Sequence, residues 1–179
     1  MAEYYLMSQL PSLDGVGENA PLPITEKDFL EVCHRFLGKN ELKELEKLTL
    51  LPPREPMKSS SPLIEERNEG ERNLRLALAK LRADKMKKSF AVAEGYLSAE
   101  HLQPARTAVE FESPTEAEKF LNYYRLKFLE TLRPMDTFSK DSVFYYCLKL
   151  KLISRMRNFD NEGGITAYKN IYNSVLNGD

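Results

Sequence analysis

The sequence predicts an all-α protein, a helical bundle with an N-terminal helical hairpin and a proline-rich linker. Apolar residues recur at helical spacing, helix start and stop signals flank these stretches, and no stretch shows the alternation of a half-buried strand. A length of 179 residues, with 42% hydrophobic and 30% charged residues, fits one globular domain with its own core. We therefore predict a single helical domain over residues 1–179, with a hairpin in 1–50, a linker in 51–62 and the main bundle in 63–179.

The N-terminal hairpin is predicted from two short helical patterns. Thr25 is a suitable N-cap for a helix over Glu26–Leu37, and Gly38 follows as a C′ stop. A second helix over Glu41–Leu50 carries leucines on one stripe, and a short connection favours antiparallel packing of the two. The opening stretch, Tyr4–Leu10, is too short to assign.

The middle of the chain begins with four prolines and three serines in residues 51–62, a composition typical of a linker or an extended strap. A long helix is predicted over about Leu63–Lys88, with an apolar stripe along it. The segment Phe90–Glu112 is ambiguous because Gly95 and Pro104 interrupt it. We expect at most a short helix near Ala105–Phe111.

The last third gives the clearest helix signals. Residues 113–116, Ser-Pro-Thr-Glu, form a capping-box pattern with proline at the first helical position, and the helix that follows runs to about Leu132. Ser139 can cap a helix over Lys140–Asn158. A turn at Asn161–Gly164 then leads into an amphipathic helix over Ile165–Leu176.

Motifs expected of an enzyme are missing from the sequence. There is no Gly-x-Ser-x-Gly nucleophile motif and no glycine loop that would cradle a phosphate. Cys33 and His34 are adjacent, so on a helix their side chains point about 100° apart and cannot share one metal ion without distortion. We expect no catalytic residues, no metal and no cofactor, and a protein that is not an enzyme; a small-molecule enzyme on a helical scaffold is the competing hypothesis.

Cysteine usage and hydropathy indicate the compartment. Cys33 and Cys147 both lie in apolar helical patterns, which favours buried free thiols in a reducing compartment. The apolar run near the N-terminus is short and follows Glu3, unlike a signal peptide. Other apolar runs fall far below the roughly 20 residues of a membrane span. We expect a cytoplasmic protein that does not insert into the membrane and that can be peripheral to its inner face through a complex.

Charge is clustered although the formal net charge is only −1. Residues 72–88 contain seven basic residues and one acidic residue: Arg72, Arg75, Lys80, Arg82, Lys85, Lys87 and Lys88 against Asp84. Residues 94–118 contain six glutamates and a single arginine. Three interpretations are open: solvated faces that partly cancel each other, a basic docking surface for an acidic partner protein, or a nucleic-acid-binding stripe over 72–88. The neutral total charge weakens the last.

Three segments resemble one family. Residues 4–13, YYLMSQLPSL, resemble the opening of an uncharacterised bacterial family encoded beside V-type (A/V-type) ATPase genes. Residues 71–83, ERNLRLALAKLRA, are similar to a leucine- and arginine-rich helix of that family. Residues 138–160, with the Tyr-x-Leu-Lys-Leu core at 146–150, resemble its closing helix, except that Met156 stands where that helix has tryptophan.

The resemblance implies an accessory, stalk-like subunit of a rotary ion-translocating ATPase, distantly similar to the helical central-stalk component that couples the rotor shaft to the membrane ring. In that case V-type ATPase subunits are the protein partners, and the chain acts as a helical docking adaptor without chemistry of its own. Basic clustering, and not the family, suggests the partner-binding residues: Arg72, Arg75, Arg82, Arg155 and Arg157. The alternative is a nucleic-acid-binding helical protein that uses the basic 72–88 stripe.

Overall fold

The computed structural model describes residues 2–16, 21–54, 58–90 and 98–157, together with 166, 168–173 and 175. Seven helices lie in the described part of residues 2–157: α1 Ala2–Gln9, α2 Glu26–Phe36, α3 Lys39–Glu46, α4 Pro62–Lys85, α5 Ala99–Glu110, α6 Pro114–Thr131 and α7 Lys140–Arg157. The described residues contain no strand, so the predicted all-α bundle is confirmed. Residues 166, 168–173 and 175 are helical too, inside the helix predicted over 165–176, whereas the turn predicted at 161–164 lies outside the described residues.

Helix α7 lies at the centre of the bundle. Residues 142–150 are all buried, so this helix is covered on every side, as expected of a sequence apolar around most of its circumference. Ser139 accepts a hydrogen bond from the Ser142 amide at 3.2 Å, which confirms the predicted cap at the start of α7. None of the described helices combines the length and the apolar composition that crossing a bilayer requires.

Two apolar cores are built around this arrangement. In the larger one, α1, α2, α3 and the ends of α4 and α6 pack against α7, and its fully buried side chains include Leu6, Phe29, Cys33, Leu45, Phe144 and Leu148. In the smaller one, α4, α5 and α6 pack together through Leu74, Ala77, Leu78, Ala105, Ala108 and Leu121. Both cysteines are buried and unpaired, and burial raises the pKa of each thiol to about 12. Neither thiol is therefore reactive at neutral pH.

The first fifty residues differ from the prediction at their helix ends. Thr25 caps α2 as predicted, accepting from the Asp28 amide at 3.1 Å. Gly38 is not the left-handed stop predicted, because its backbone is extended (φ −68°, ψ 156°) and it is the N-cap of α3. The Glu41 carboxylate accepts from the Gly38 amide at 3.2 Å, so α3 begins before the predicted Glu41. It also ends before the predicted Leu50.

Pro104 lies inside α5, a helix of 12 residues where only a short helix near Ala105–Phe111 was predicted. Proline removes an amide donor and leaves the carbonyl four residues earlier without its helical partner. That carbonyl belongs to Glu100, and the Tyr124 hydroxyl donates to it at an oxygen–oxygen distance of 3.4 Å. A side chain from α6 thus compensates for the interruption.

The described part of the 51–62 segment is bound to the bundle as a strap. The Glu44 carboxylate on α3 accepts from the Ser59 hydroxyl and, at 3.0 Å, from the Ser60 amide. Ser61 is fully buried, and Pro62 is the first residue of α4. The segment therefore belongs to the packed body of the protein.

Candidate functional site

The five arginines chosen from the sequence lie on α4 and α7. Arg72 donates from Nη2 to the Pro53 carbonyl at 3.3 Å, and Arg82 is exposed near the end of α4. Arg75 pairs with Glu71, with Nε and Oε1 2.8 Å apart. Arg155 pairs with Glu118 at 2.5 Å, and Arg157 is half-buried at the end of α7.

Arg75 and Arg155 are joined through one chain of ion pairs. Glu71 on α4 contacts Arg75 with one carboxylate oxygen and Arg125 with the other, the second distance being 2.9 Å. Arg125 on α6 also contacts Glu118 at 3.1 Å, and Glu118 binds Arg155. The chain alternates positive and negative charge and ties α4, α6 and α7 together. Sequence reasoning grouped the arginines but missed Arg125, the central member.

The central ion pair of this chain, between Glu71 and Arg125, is buried. The Glu71 side chain is 5% exposed and that of Arg125 is 11% exposed, so both charges are largely removed from water. A buried pair adds little net stability because desolvation offsets the attraction, but removing one partner strands the other. The arrangement therefore fixes how the three helices pack, and it leaves Arg75 and Arg155 fewer donors for an external partner.

Arg67 extends the same polar layer toward the strap. It is buried, and its guanidinium donates to the carbonyls of Thr49 at 3.1 Å and Leu50 at 2.6 Å. Burial lowers the pKa of Arg67 to about 10, with Glu71 opposing that shift, so the side chain remains charged at neutral pH. Its role is to hold the end of the hairpin against α4.

The buried Lys149 on α7 forms a second polar cluster with two partly exposed carboxylates. Its ammonium lies 2.5 Å from Asp14 and 2.7 Å from Glu130, and Tyr145 donates to Glu130 at 2.7 Å. The hydrogen bond from Lys149 lowers the pKa of Asp14; burial opposes ionisation of Glu130, but hydrogen bonds from Lys149 and Tyr145 still lower its pKa. A cavity of about 190 Å³ opens beside this cluster, between α7 and the loops after α1 and α6. Because two carboxylates already neutralise Lys149, the cluster acts as a clamp on α7.

A basic cluster at the end of α4 is exposed to solvent. Lys85, Lys87 and Lys88 are exposed, with the Met86 and Phe90 side chains between and after them. Lys80 pairs with Asp84 at 2.9 Å, one turn earlier. The predicted 72–88 stripe is therefore divided. Arg72, Arg75 and Lys80 contact groups within the chain. The basic residues Arg82, Lys85, Lys87 and Lys88 are exposed, and Lys85 also donates to the Val109 carbonyl. The nucleic-acid hypothesis stays a prediction.

Potential metal ligands do not converge in the part of the chain that the structure describes. No group of three or more His, Cys, Asp or Glu side chains there could hold a metal ion. His101 is buried on α5, with Nδ1 2.8 Å from the Tyr124 hydroxyl, and burial lowers the pKa of its imidazole. Its role in the described structure is to connect α5 with α6.

Residues 98–179 match a family model described as a protein of unknown function (DUF2764). The match covers less than half of the chain. It begins just before α5 and includes α6, α7 and the C-terminal residues. No protein of curated function and no solved structure matches the chain.

The DUF2764-like part contains one side of each polar cluster. Glu118, Arg125 and Arg155 lie within it, while Glu71 and Arg75, which complete the chain of ion pairs, precede it. In the same way Lys149 and Glu130 are inside the matched region and Asp14 is outside. The matched helices therefore pack with the earlier part of the chain as one body.

Proposed function

We propose that this protein is a non-catalytic, stalk-like accessory subunit of a V-type ion-translocating ATPase, acting as a helical docking adaptor. The proposal is supported by contacts among the three segments that resemble the ATPase-associated family, residues 4–13, 71–83 and 138–160. Tyr146, in the closing segment, donates to the Pro11 carbonyl of the opening segment at 2.8 Å. The middle segment joins the closing one through Glu71, Arg125, Glu118 and Arg155. The residues that resemble the family thus form one connected framework.

This framework has the properties that an adaptor needs. Helix α7 is buried along most of its length and is fastened near its middle by Lys149 and near its end by Arg155. Packed helices tied by ion pairs transmit force as a unit, since an interior at crystal-like density deforms little. Of the five arginines suggested for docking, Arg82 is exposed on α4 and lies outside the chain of ion pairs. We therefore assign it the leading role in contacting an acidic face of an ATPase subunit.

Affinity purification tests the proposal. The full-length chain, tagged and expressed in its own organism, should be recovered from detergent-solubilised membranes together with V-type ATPase subunits. Arg82→Glu should reduce this recovery strongly, because reversing a charge at an interface introduces repulsion. Lys43→Glu is the matched control, since it reverses an exposed charge on α3.

One result would refute the proposal, and a second would refute the role given to Arg82. Recovery of the chain without any ATPase subunit would exclude the association itself. Equal losses with Arg82→Glu and Lys43→Glu would show that Arg82 has no special part in docking. Thermal unfolding of each variant excludes misfolding as the cause of a loss.

A further inference from the structure

The C-terminal end of α4 carries a surface that the adaptor proposal does not use. We call it the basic tip and define it as Lys85, Met86, Lys87, Lys88 and Phe90. All five side chains are exposed, including Met86 at 60% and Phe90 at 37%. Residues 85–90 thus combine three cationic side chains with two large apolar ones.

Lys87 occupies a backbone position that disfavours lysine. Its φ of 56° is left-handed, the only such value among described residues other than glycine. The Lys88 amide donates to the Ala83 carbonyl at 2.9 Å and the Lys87 amide to that of Asp84 at 3.0 Å, the two hydrogen bonds of a Schellman motif. Glycine is preferred at this position because it has no Cβ. The backbone conformation therefore does not explain a lysine at position 87. The positive charge that Lys87 adds to the tip does explain it.

We propose that the basic tip binds the surface of an anionic lipid membrane. Lysines near such a surface are attracted by the potential of the acidic headgroups, and exposed Met86 and Phe90 can enter the interfacial region between them. Lysine is depleted in protein–protein interfaces, so three lysines fit a lipid surface better than an acidic protein.

Neighbouring groups shape this surface. Lys85 also donates to the Val109 carbonyl at 3.2 Å, which fixes the tip against the end of α5. Asp84 is neutralised by Lys80, but Glu110 and Glu112 follow Val109 and reduce the positive potential on that side. Attraction by the lysines and insertion of the apolar side chains must therefore act together.

Vesicle flotation with the purified full-length protein tests the proposal without any ATPase. We expect binding to vesicles of phosphatidylcholine mixed with phosphatidylserine and little binding to phosphatidylcholine alone. Loss of one tip lysine in Lys88→Gln should weaken partitioning roughly fivefold, the equivalent of about 1 kcal/mol per cation. Raising the salt toward 1 M, where the Debye length is about 3 Å, should release the protein.

The variant Lys87→Gly separates binding from folding. It relieves the left-handed strain and should raise the urea midpoint, yet it should weaken vesicle binding about as much as Lys88→Gln. The double variant Met86→Ser, Phe90→Ser should also reduce binding, and Lys43→Gln on α3 is the matched charge control.

Other outcomes overturn the proposal. Equal binding to neutral vesicles, or equal losses with Lys43→Gln and Lys88→Gln, would mean that the tip does not recognise anionic lipid. If vesicles are not bound and tip variants instead weaken recovery of proteins in detergent, the tip is a protein contact. Because purified protein and lipid suffice, failure here is independent of the ATPase association.

Discussion

The Tyr124 hydroxyl on α6 donates to the carbonyl oxygen of Glu100 on α5, across an oxygen–oxygen distance of 3.4 Å. Pro104 cannot supply the amide hydrogen that this carbonyl would otherwise accept. His101 Nδ1 lies 2.8 Å from the same hydroxyl. One hydroxyl of α6 is thus the hydrogen-bond partner of two groups on α5.

Tyr124→Phe should lower the free energy of unfolding by about 1–2 kcal/mol, because the Glu100 carbonyl and the buried His101 imidazole both lose a hydrogen-bond partner. Urea denaturation measures the change. In a Pro104→Ala background the restored amide can bind the Glu100 carbonyl, so the same substitution should cost less. A double-mutant cycle with zero coupling energy would contradict this account.

Local signals in the sequence were sufficient for most of the fold. Thr25, Ser113 and Ser139 cap α2, α6 and α7 as predicted, because an N-cap depends on a side chain and an amide only three residues apart. Helix α5 was underestimated since its compensation for Pro104 comes from Tyr124, which lies in another helix. A single sequence gives no sign of such a partner.

The same distinction applies to the candidate site. The pairing of Glu71 with Arg75 is a helical i, i+4 spacing that can be read from the sequence. Arg125, by contrast, is 54 residues from Glu71 along the chain. Burial determines which of the two ion pairs of Glu71 contributes more to stability, and burial depends on how the helices pack. Clustering of basic residues therefore located Arg75 without indicating that its charge is used internally.

Gly70→Ala should destabilise the protein. A Cβ at this position would lie 2.4 Å from the Phe128 ring, so this ring of α6 occupies the space that a side chain at Gly70 would need. Overpacking costs about 1–3 kcal/mol, which exceeds the roughly 1 kcal/mol that alanine gains in helix propensity. Calorimetry should show a lower Tm, and adding Phe128→Leu should restore part of it. A higher Tm for Gly70→Ala would show that the two helices can separate freely.

Arg125→Met should lower the free energy of unfolding by about 3 kcal/mol, since it removes a partner from the buried Glu71 carboxylate. Arg75→Met is the matched control because it removes the other partner of the same carboxylate. The Arg75 side chain is 41% exposed, so that change should cost no more than about 1 kcal/mol. Urea unfolding of both variants measures the difference; equal costs would mean that burial does not distinguish the two pairs.

Lys87→Gly should increase the free energy of unfolding by about 0.5–1 kcal/mol. A left-handed conformation costs an L-residue roughly 1–2 kcal/mol, and the greater freedom of glycine in the unfolded chain offsets part of the gain. Lys88→Gly is the control. Among the described residues other than glycine only Lys87 has a positive φ, so glycine relieves no strain at Lys88. Equilibrium urea unfolding should show a gain for the first variant only. A loss with both would mean that the lysine side chains themselves stabilise the fold.

Acidification should destabilise the protein through Glu44, the residue that holds the strap to α3. Burial alone would raise the pKa of its carboxyl, but hydrogen bonds from Ser59 and Ser60 outweigh burial and, with the charge of Lys140, bring the pKa to about 2. The folded-state pKa is thus below the ordinary value of 4.5. Glu44 therefore contributes stability above about pH 4.5, and this contribution is lost as the pH falls toward 2.

Urea midpoints measured across this pH range test the effect of Glu44. In Glu44→Gln the fall in stability between pH 4.5 and 2 should be smaller than in the native chain, because an amide does not titrate. Ser60→Ala should give an intermediate slope, since it removes one donor to the carboxylate and leaves the Ser60 amide in place. If Glu44→Gln retains the full pH dependence, other carboxylates account for acid unfolding and the strap is held mainly by its apolar contacts.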